Sequence, residues 1–194
     1  MTSPTDTRLP GPPLILITGL MAAGKSTVAQ HLAERLPTSV HLRGDVFRRM
    51  IVRGRAEMEF NLDPTAYAQL QLRYRIAAAA AELYLQAGFT VVYQDIILGP
   101  DLATVVQFYQ QHPLYIVVLC PSPRVIAARD AARGKTGYRE DATIDAFDRV
   151  LRTETPRLGW WLDTSHLTVA ETVDRILANL PRAQVSPPTT MADP

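Results

Sequence analysis

Nine consecutive residues, GLMAAGKST from Gly19 to Thr27, carry the most legible chemistry of this chain. They fit the spacing G-x-x-x-x-G-K-[ST], in which each fixed position has a physical task. Gly19 and Gly24 permit backbone turns that a Cβ would obstruct, so the N–H groups around Ala22 and Ala23 can converge on an anion. Lys25 can reach β- and γ-phosphates, and the Ser26 hydroxyl can bind Mg²⁺. A helix opening at Lys25, Ser26 and Thr27 adds its positive dipole end. The alternative, a glycine-bearing turn that binds nothing, requires a chance match that average composition makes rare.

Four further groups of residues can do chemistry beside such a loop. Asp95 closes the run VVYQD; a carboxylate there can hold Mg²⁺ opposite Ser26, directly or through water, or it can cap a turn. Asp45, in HLRGDVF, can accept a proton from an attacking hydroxyl or serve as an ordinary helix cap. Arg48 and Arg49 follow one helical turn later and Arg43 precedes it; all three read first as solvated cations, with a substrate anion as the alternative. Arg129, Arg133, Lys135 and Arg139 cluster around Gly134 and Gly137. Arginines suit the spread negative charge of phosphoryl transfer, and the glycines suit a closing lid over about residues 129–141. A solvated helix end is the competing account of that cluster.

Other positions say less. Thr164, between Asp163 and Ser165, can touch a nucleotide base or form a polar turn. Tyr67, Gln71, Tyr74 and Arg75 read as core and surface of a long helix, with an acceptor-facing role as the alternative. His31, His41, His112 and His166 have no metal-ligand spacing. Cys120 is the sole cysteine, inside an apolar run, and reads as a small buried hydrophobe.

The elements that must position these groups alternate. Pro12-Pro13 precede a buried strand, Leu14 to Thr18, and a helix runs from Lys25 to about Leu36. A short strand at Val40 to Arg43 leads to a helix from Asp45 to Arg53. Arg53 to Pro64 has no period. Asp63-Pro64 caps a long helix ending at Gly88. Strands follow at Thr90 to Gln94, Leu114 to Cys120 and Trp160 to Leu162. Helices are expected over Pro100 to Gln111, from a Ser122-Pro123 cap to Ala132, and from Ala142 to Glu154. Thr168 and Glu171 form a capping box for the last helix. Alternation of this kind builds a parallel sheet with helices on both faces and ligands beyond the strand C-termini.

The 194 residues suit one domain, taken as 13–181, with loose Pro/Thr-rich tails at 1–12 and 182–194. A net charge of +1 gives no footprint for nucleic acid. The apolar runs are too short to span a bilayer, and a single cysteine without a signal-peptide pattern fits a cytoplasmic protein.

Taken together, ILITGLMAAGKST, HLRGDVF, VVYQDIILGP, the arginine-bearing segment and WLDTSHLTVAETVDRIL resemble the small P-loop kinases. The likeness extends over about Leu14 to Leu180 and is greatest to the chloramphenicol phosphotransferase-like and zeta-toxin-like branch of AAA-type P-loop phosphotransferases. It implies an α/β, three-layer P-loop NTPase fold, with a five-stranded parallel sheet and a short lid. It also implies transfer from Mg-ATP to a hydroxyl of a small molecule, Asp45 as base, and lid arginines at Arg129 and Arg133. Gln94 departs from the antibiotic kinase, which resembles this chain but carries a second carboxylate before the Asp95 position. A toxin-type nucleotide-sugar kinase and a nucleotide-dependent regulatory switch are the alternatives. The chain lacks the N-K-x-D signature that would favour a guanine-nucleotide switch.

Overall fold

Leu14 to Gly19 forms the central strand, β1, and all six of its residues are buried. Successive side chains of a strand point to opposite faces, so a strand covered on both faces must be apolar throughout. Leu14 and Leu16 enter one core, while Ile15 and Ile17 enter the other. A computed structural model describes residues 11–57, 63–132 and 141–185 of the chain. The sequence-predicted lid residues Arg133, Lys135 and Arg139, with Gly134 and Gly137, lie outside the described residues.

The sheet has the order β2-β3-β1-β4-β5, with β2 at Ser39–Arg43, β3 at Thr90–Gln94, β4 at Leu114–Leu119 and β5 at Trp160–Leu162. All four pairings along this order are parallel. The chain leaves β1 toward β2 and β3 and then returns to its other side as β4. Such a reversal opens a crevice at the carboxyl end of β1, where the phosphate loop begins.

Two helical layers close the sheet. Helix α1 (Lys25–Glu34) and helix α7 (Val169–Ala178) cover one face through Val28, Ala29, Leu32, Val173 and Ile176. The other face is covered by α3 (Pro64–Gln86), α4 (Asp101–Gln107), α5 (Pro123–Ala131) and α6 (Asp141–Arg149). Asp63 starts α3 as expected: its carboxylate accepts the Ala66 N–H at 2.9 Å, and Pro64 fills the first turn. Ala77, Ala81 and Leu85 recur every fourth residue on the buried stripe of α3, and Arg73 extends that stripe by one step. The expected capping box of α7 is formed by Thr168 and Glu171.

Several boundaries differ from the sequence expectation. Helix α2 spans only Gly44–Arg49. Beyond it, Gln69 of α3 accepts the Ala56 N–H at 2.9 Å and donates to the Gly54 carbonyl at 2.7 Å, which folds the chain back. Helix α4 stops at Gln107, short of Gln111. Ser122 occupies the cap position of α5 without a side-chain cap bond; its own N–H donates to Ser165 Oγ at 2.8 Å. The helix expected over 142–154 is α6 running into a π-helical turn at Val150–Glu154.

The ordered fold also continues past residue 181. A 3₁₀ turn at Leu180–Ala183 buries Ala183 completely and leads into β6, Gln184–Val185. β6 pairs antiparallel with Leu114 and Tyr115 of β4, adding a sixth strand to the expected five. Two residues are too few to show a period, so this pairing leaves no pattern to read. Arg182, counted in the loose tail from sequence, stacks over the Trp160 ring at 5.0 Å.

Candidate active site

The loop from β1 to α1 is shaped by what its backbone must avoid. Gly19 has φ 138°, and a Cβ there would stand 2.3 Å from the Leu119 carbonyl oxygen of β4. Gly24 is likewise left-handed at φ 95°, as is Ala22 at φ 62°, the non-glycine of the loop that bears this strain. Lys25 is 7% exposed, and its Nζ donates to the Leu20 carbonyl at 2.7 Å, so the ammonium lies back across its own loop.

A cleft of about 690 Å³ opens over this loop. Its floor is Ala22 to Thr27 of the loop and α1; Gly19 lies outside the lining, at the strand end beneath. One wall holds Asp45, Arg48 and Arg49 of α2, Arg73 of α3, and Gln94 and Asp95 at the end of β3. The opposite wall holds Arg129 of α5 and Thr164. The structure therefore gathers Lys25, Ser26, Thr27, Asp45, Arg48, Asp95, Arg129 and Thr164 around one space, from five separate segments of sequence.

Asp45 has one oxygen committed to a hydrogen bond and one that is not. Oδ2 accepts from Arg49 Nη2 at 2.5 Å, a pairing one helical turn apart. Oδ1 is itself buried and has no hydrogen-bond partner among the described residues; Arg43 Nε stands 3.6 Å from it. Arg43 itself does not line the cleft. Arg48 Nη2 donates to the Ala56 carbonyl at 2.6 Å and faces Glu57 at 3.6 Å.

Asp95 is where the sequence expectation meets a different arrangement. It is 3% exposed, and Arg73 Nη2 pairs with its Oδ1 at 2.8 Å. The Ile96 N–H donates to Oδ1 at 2.8 Å and the Tyr93 hydroxyl to Oδ2 at 3.1 Å. Burial raises the carboxyl above its ordinary range, and Arg73, Ile96 and Tyr93 pull it back. The side chain facing the Ser26 hydroxyl is Gln94, whose Oε1 accepts from Ser26 Oγ at 3.3 Å. Strand alternation explains the exchange: Gln94 and Asp95 point to opposite sides. Ser26 Oγ and Gln94 Oε1 are hard oxygen donors of the kind Mg²⁺ takes, so these residues fit the ion, with Asp95 behind them. No group of three or more His, Cys, Asp or Glu among the described residues forms a metal cluster.

Gly44 is required by this packing. A Cβ on it would stand 2.0 Å from Asp95 Oδ2, an atom that Tyr93 holds in place. Gly44→Ala is expected to lose about 1–3 kcal/mol of stability by overpacking, read as a lowered urea midpoint. A midpoint equal to the parent's would show that the Asp95 side chain moves aside without cost.

Arg129 connects the two halves of the opposite wall. Its Nη1 donates to the Ala23 carbonyl at 3.3 Å and its Nη2 to the Thr164 carbonyl at 2.9 Å. Thr164 is 2% exposed, and its hydroxyl has no partner. Asp163 and Ser165 form the turn that presents it, with Asp163 Oδ1 accepting both the N–H and the hydroxyl of Ser165. Tyr67 and Gln71 both donate to Asp101 of α4, Tyr74 is core, and Arg75 is exposed, so none of the four reaches the cleft. Cys120 is buried, with its thiol pushed up by burial.

Arg73 is the cleft residue that sequence reasoning passed over. Its signal was present: a charged residue on the same stripe as Ala77, Ala81 and Leu85 must have a buried partner.

Comparisons with known proteins place the fold. The AAA domain family matches residues 14–156. No curated protein sequence matches the chain. Among solved structures, the tunicamycin resistance protein of Deinococcus radiodurans superposes with TM-score 0.68 at 18% identity, over 91% of this chain and 99% of that one. The APS kinase CysC of Mycobacterium tuberculosis, solved with AMPPNP and APS, gives TM-score 0.63 at 18% identity, covering 87% of this chain and 97% of that one. A chain of the Pnkp1/Rnl/Hen1 RNA repair complex gives TM-score 0.61 at 18% identity over 77% of this chain; the match spans only 47% of that chain. At such identities the shared property is the fold, that of the small P-loop kinases. Among the described residues no helix is long and apolar enough to cross a membrane.

Proposed function

Because the chain belongs to the AAA domain family, we propose that it is an ATP-dependent phosphotransferase. It moves the γ-phosphoryl group of Mg-ATP to a hydroxyl of a small molecule, with Asp45 as base. The observation that carries this reading is the Asp45 carboxylate on the wall of the same cleft as the phosphate loop, with Oδ2 held by Arg49 and Oδ1 making no hydrogen bond among the described residues.

In the proposed reaction the acceptor O–H gives its proton to Asp45 while its oxygen bonds the γ-phosphorus. The bond from that phosphorus to the β–γ bridging oxygen breaks, and ADP leaves with the electron pair. Loop amides and Lys25 bind the phosphates, Lys25 exchanging the Leu20 carbonyl for phosphate oxygens. Mg²⁺, when bound, neutralises charge on the phosphate oxygens; Ser26 and Gln94 would hold it, with Asp95 and its Arg73 partner behind them. Arg129, beside the loop, supplies a guanidinium for the developing charge, and Arg133 is assigned the same task from sequence. Thr164 offers its hydroxyl to the nucleotide base.

The test is an ATP-consumption screen against hydroxylated antibiotics, nucleosides, sugars and nucleotide sugars. ADP formation that depends on one acceptor class, with phosphate recovered on that acceptor, supports the reading. Slow hydrolysis indifferent to every acceptor overturns it in favour of a nucleotide-dependent switch.

A further inference from the structure

The acceptor wall of the cleft carries three guanidinium groups, from Arg48, Arg49 and Arg73, and they are not equally compensated. Arg73 is paired with buried Asp95 at 2.8 Å, and Arg49 with Asp45 at 2.5 Å. Among the described residues Arg48 has neither kind of partner. Its Nη2 bonds a neutral carbonyl, that of Ala56, and its Nε is buried with no acceptor. The carboxylate facing it, Glu57, stands 3.6 Å away with 82% of its side chain exposed, whereas the Arg48 side chain is only 21% exposed.

Charges taken out of water are normally matched by a close, hydrogen-bonded counter-charge. A solvated carboxylate beyond hydrogen-bond distance is a weak match, because water and salt screen it. The neighbourhood adds to the imbalance: burial lowers the Arg48 pKa, Arg55 and Arg73 lower it further, and Glu57 opposes them. Arg48 thus presents a cation in want of an anion, on the wall of the cleft.

We propose that the phosphoryl acceptor carries an anionic group, a carboxylate or a phosphate, which docks on Arg48. This rests on the phosphotransferase reading and narrows its substrate class. A guanidinium can hold either anion with two parallel hydrogen bonds. Arg48 lies three residues beyond Asp45 on α2, so the two side chains are neighbours on one helix surface. Their Cβ atoms are on the order of 5–6 Å apart, so one small acceptor can carry both the anion and the reacting hydroxyl. A small polyhydroxy acid or a phosphorylated alcohol has that form.

The experiment is calorimetric titration of the full chain saturated with Mg²⁺ and the β,γ-imido analogue of ATP, which occupies the phosphate loop. Gluconate, glucose 6-phosphate and uncharged glucose are the probes. At least one anionic probe should bind about tenfold or more tighter than glucose, with an advantage that shrinks as salt is raised. Gluconate as the preferred probe identifies a carboxylate, glucose 6-phosphate a phosphate. Arg48→Gln should abolish the advantage. Glu57→Gln keeps Arg48 and removes its competing carboxylate, so it should tighten the anionic probe severalfold, guarding against a misfolded Arg48 variant. Equal binding of charged and neutral probes, no binding of either, a preference that survives Arg48→Gln, or weakening in Glu57→Gln overturns the inference. Titration of the ATP analogue itself separates the two levels. Its failure to bind removes the phosphotransferase reading, whereas normal nucleotide binding without an anion preference removes only the anionic acceptor.

Discussion

Asp45→Asn is expected to slow phosphoryl transfer by about 10²- to 10⁴-fold, the range in which a positioned general base acts, while the affinity for Mg-ATP stays near that of the parent. The amide is nearly isosteric, so α2 keeps its place. What changes is chemical: the oxygen at Oδ1, unpaired by hydrogen bonds among the described residues, no longer belongs to a group that can take a proton. The Arg49 pairing weakens too, since a neutral amide oxygen is a poorer acceptor for a guanidinium than a carboxylate. The nucleotide contacts proposed for Lys25, the loop amides and Arg129 rest on other residues of the cleft lining. Single-turnover kinetics beside nucleotide titration separates the two effects. Full transfer activity in the variant would remove Asp45 from the mechanism; loss of nucleotide binding in step with activity would make its role structural.

Arg73→Met has the largest expected effect on stability. Methionine fills a similar length of the buried stripe of α3 but leaves Asp95 buried without its cation. Breaking a buried pair by removing one partner costs about 3–5 kcal/mol, a large fraction of the stability of a domain of this size. The sign of the pH dependence follows from the raised carboxyl of Asp95. A carboxyl whose folded pKa exceeds its unfolded one favours the folded state when protonated; that contribution fades as pH rises through the folded pKa. Arg73 pulls the folded value down, so its loss moves the titration higher still. The deficit of Arg73→Met is therefore greatest near neutral pH and shrinks on acidification, as Asp95 becomes neutral. Urea midpoints of parent and variant at neutral and mildly acidic pH measure this. A deficit independent of pH would place its origin in packing, including the lost stacking of Arg73 on Tyr74, and not in the stranded carboxylate.

How much of this was legible depended on the range over which each feature is determined. The phosphate loop is written locally: Gly19, Gly24, Lys25 and Ser26 impose its path within a few residues, and so do Asp63-Pro64 at the start of α3. Strand β3 and strand β5 were read to the residue because both end at abrupt changes of polarity. The cleft partners were not local. Ser26 meets Gln94 across 68 positions of sequence, and the side of β3 that faces Ser26 is decided by register with β1. Asp95 was visible as a strand-end carboxylate, but its commitment to Arg73 depends on how α3 lies over the sheet. The early end of α2 depends in the same way on Gln69, whose amide reaches back to residues 54 and 56. Arg48 and Arg49, adjacent and alike in sequence, part company only in three dimensions: one finds a carboxylate and the other a carbonyl.

The hold of Arg129 on the carbonyls of Ala23 and Thr164 also bears on which nucleotides the cleft can tell apart. The guanidinium sits within 3.9 Å of the position a Gly24 Cβ would take, alongside the phosphate loop. Turning it toward a ligand means giving up two backbone acceptors. Only a ligand rich in anionic oxygens returns an equivalent set of bonds, and it returns more with each added phosphate. Discrimination among adenosine, its monophosphate and its triphosphate can thus arise from a tie between two loops, as a count of charges and not as a fit of shape.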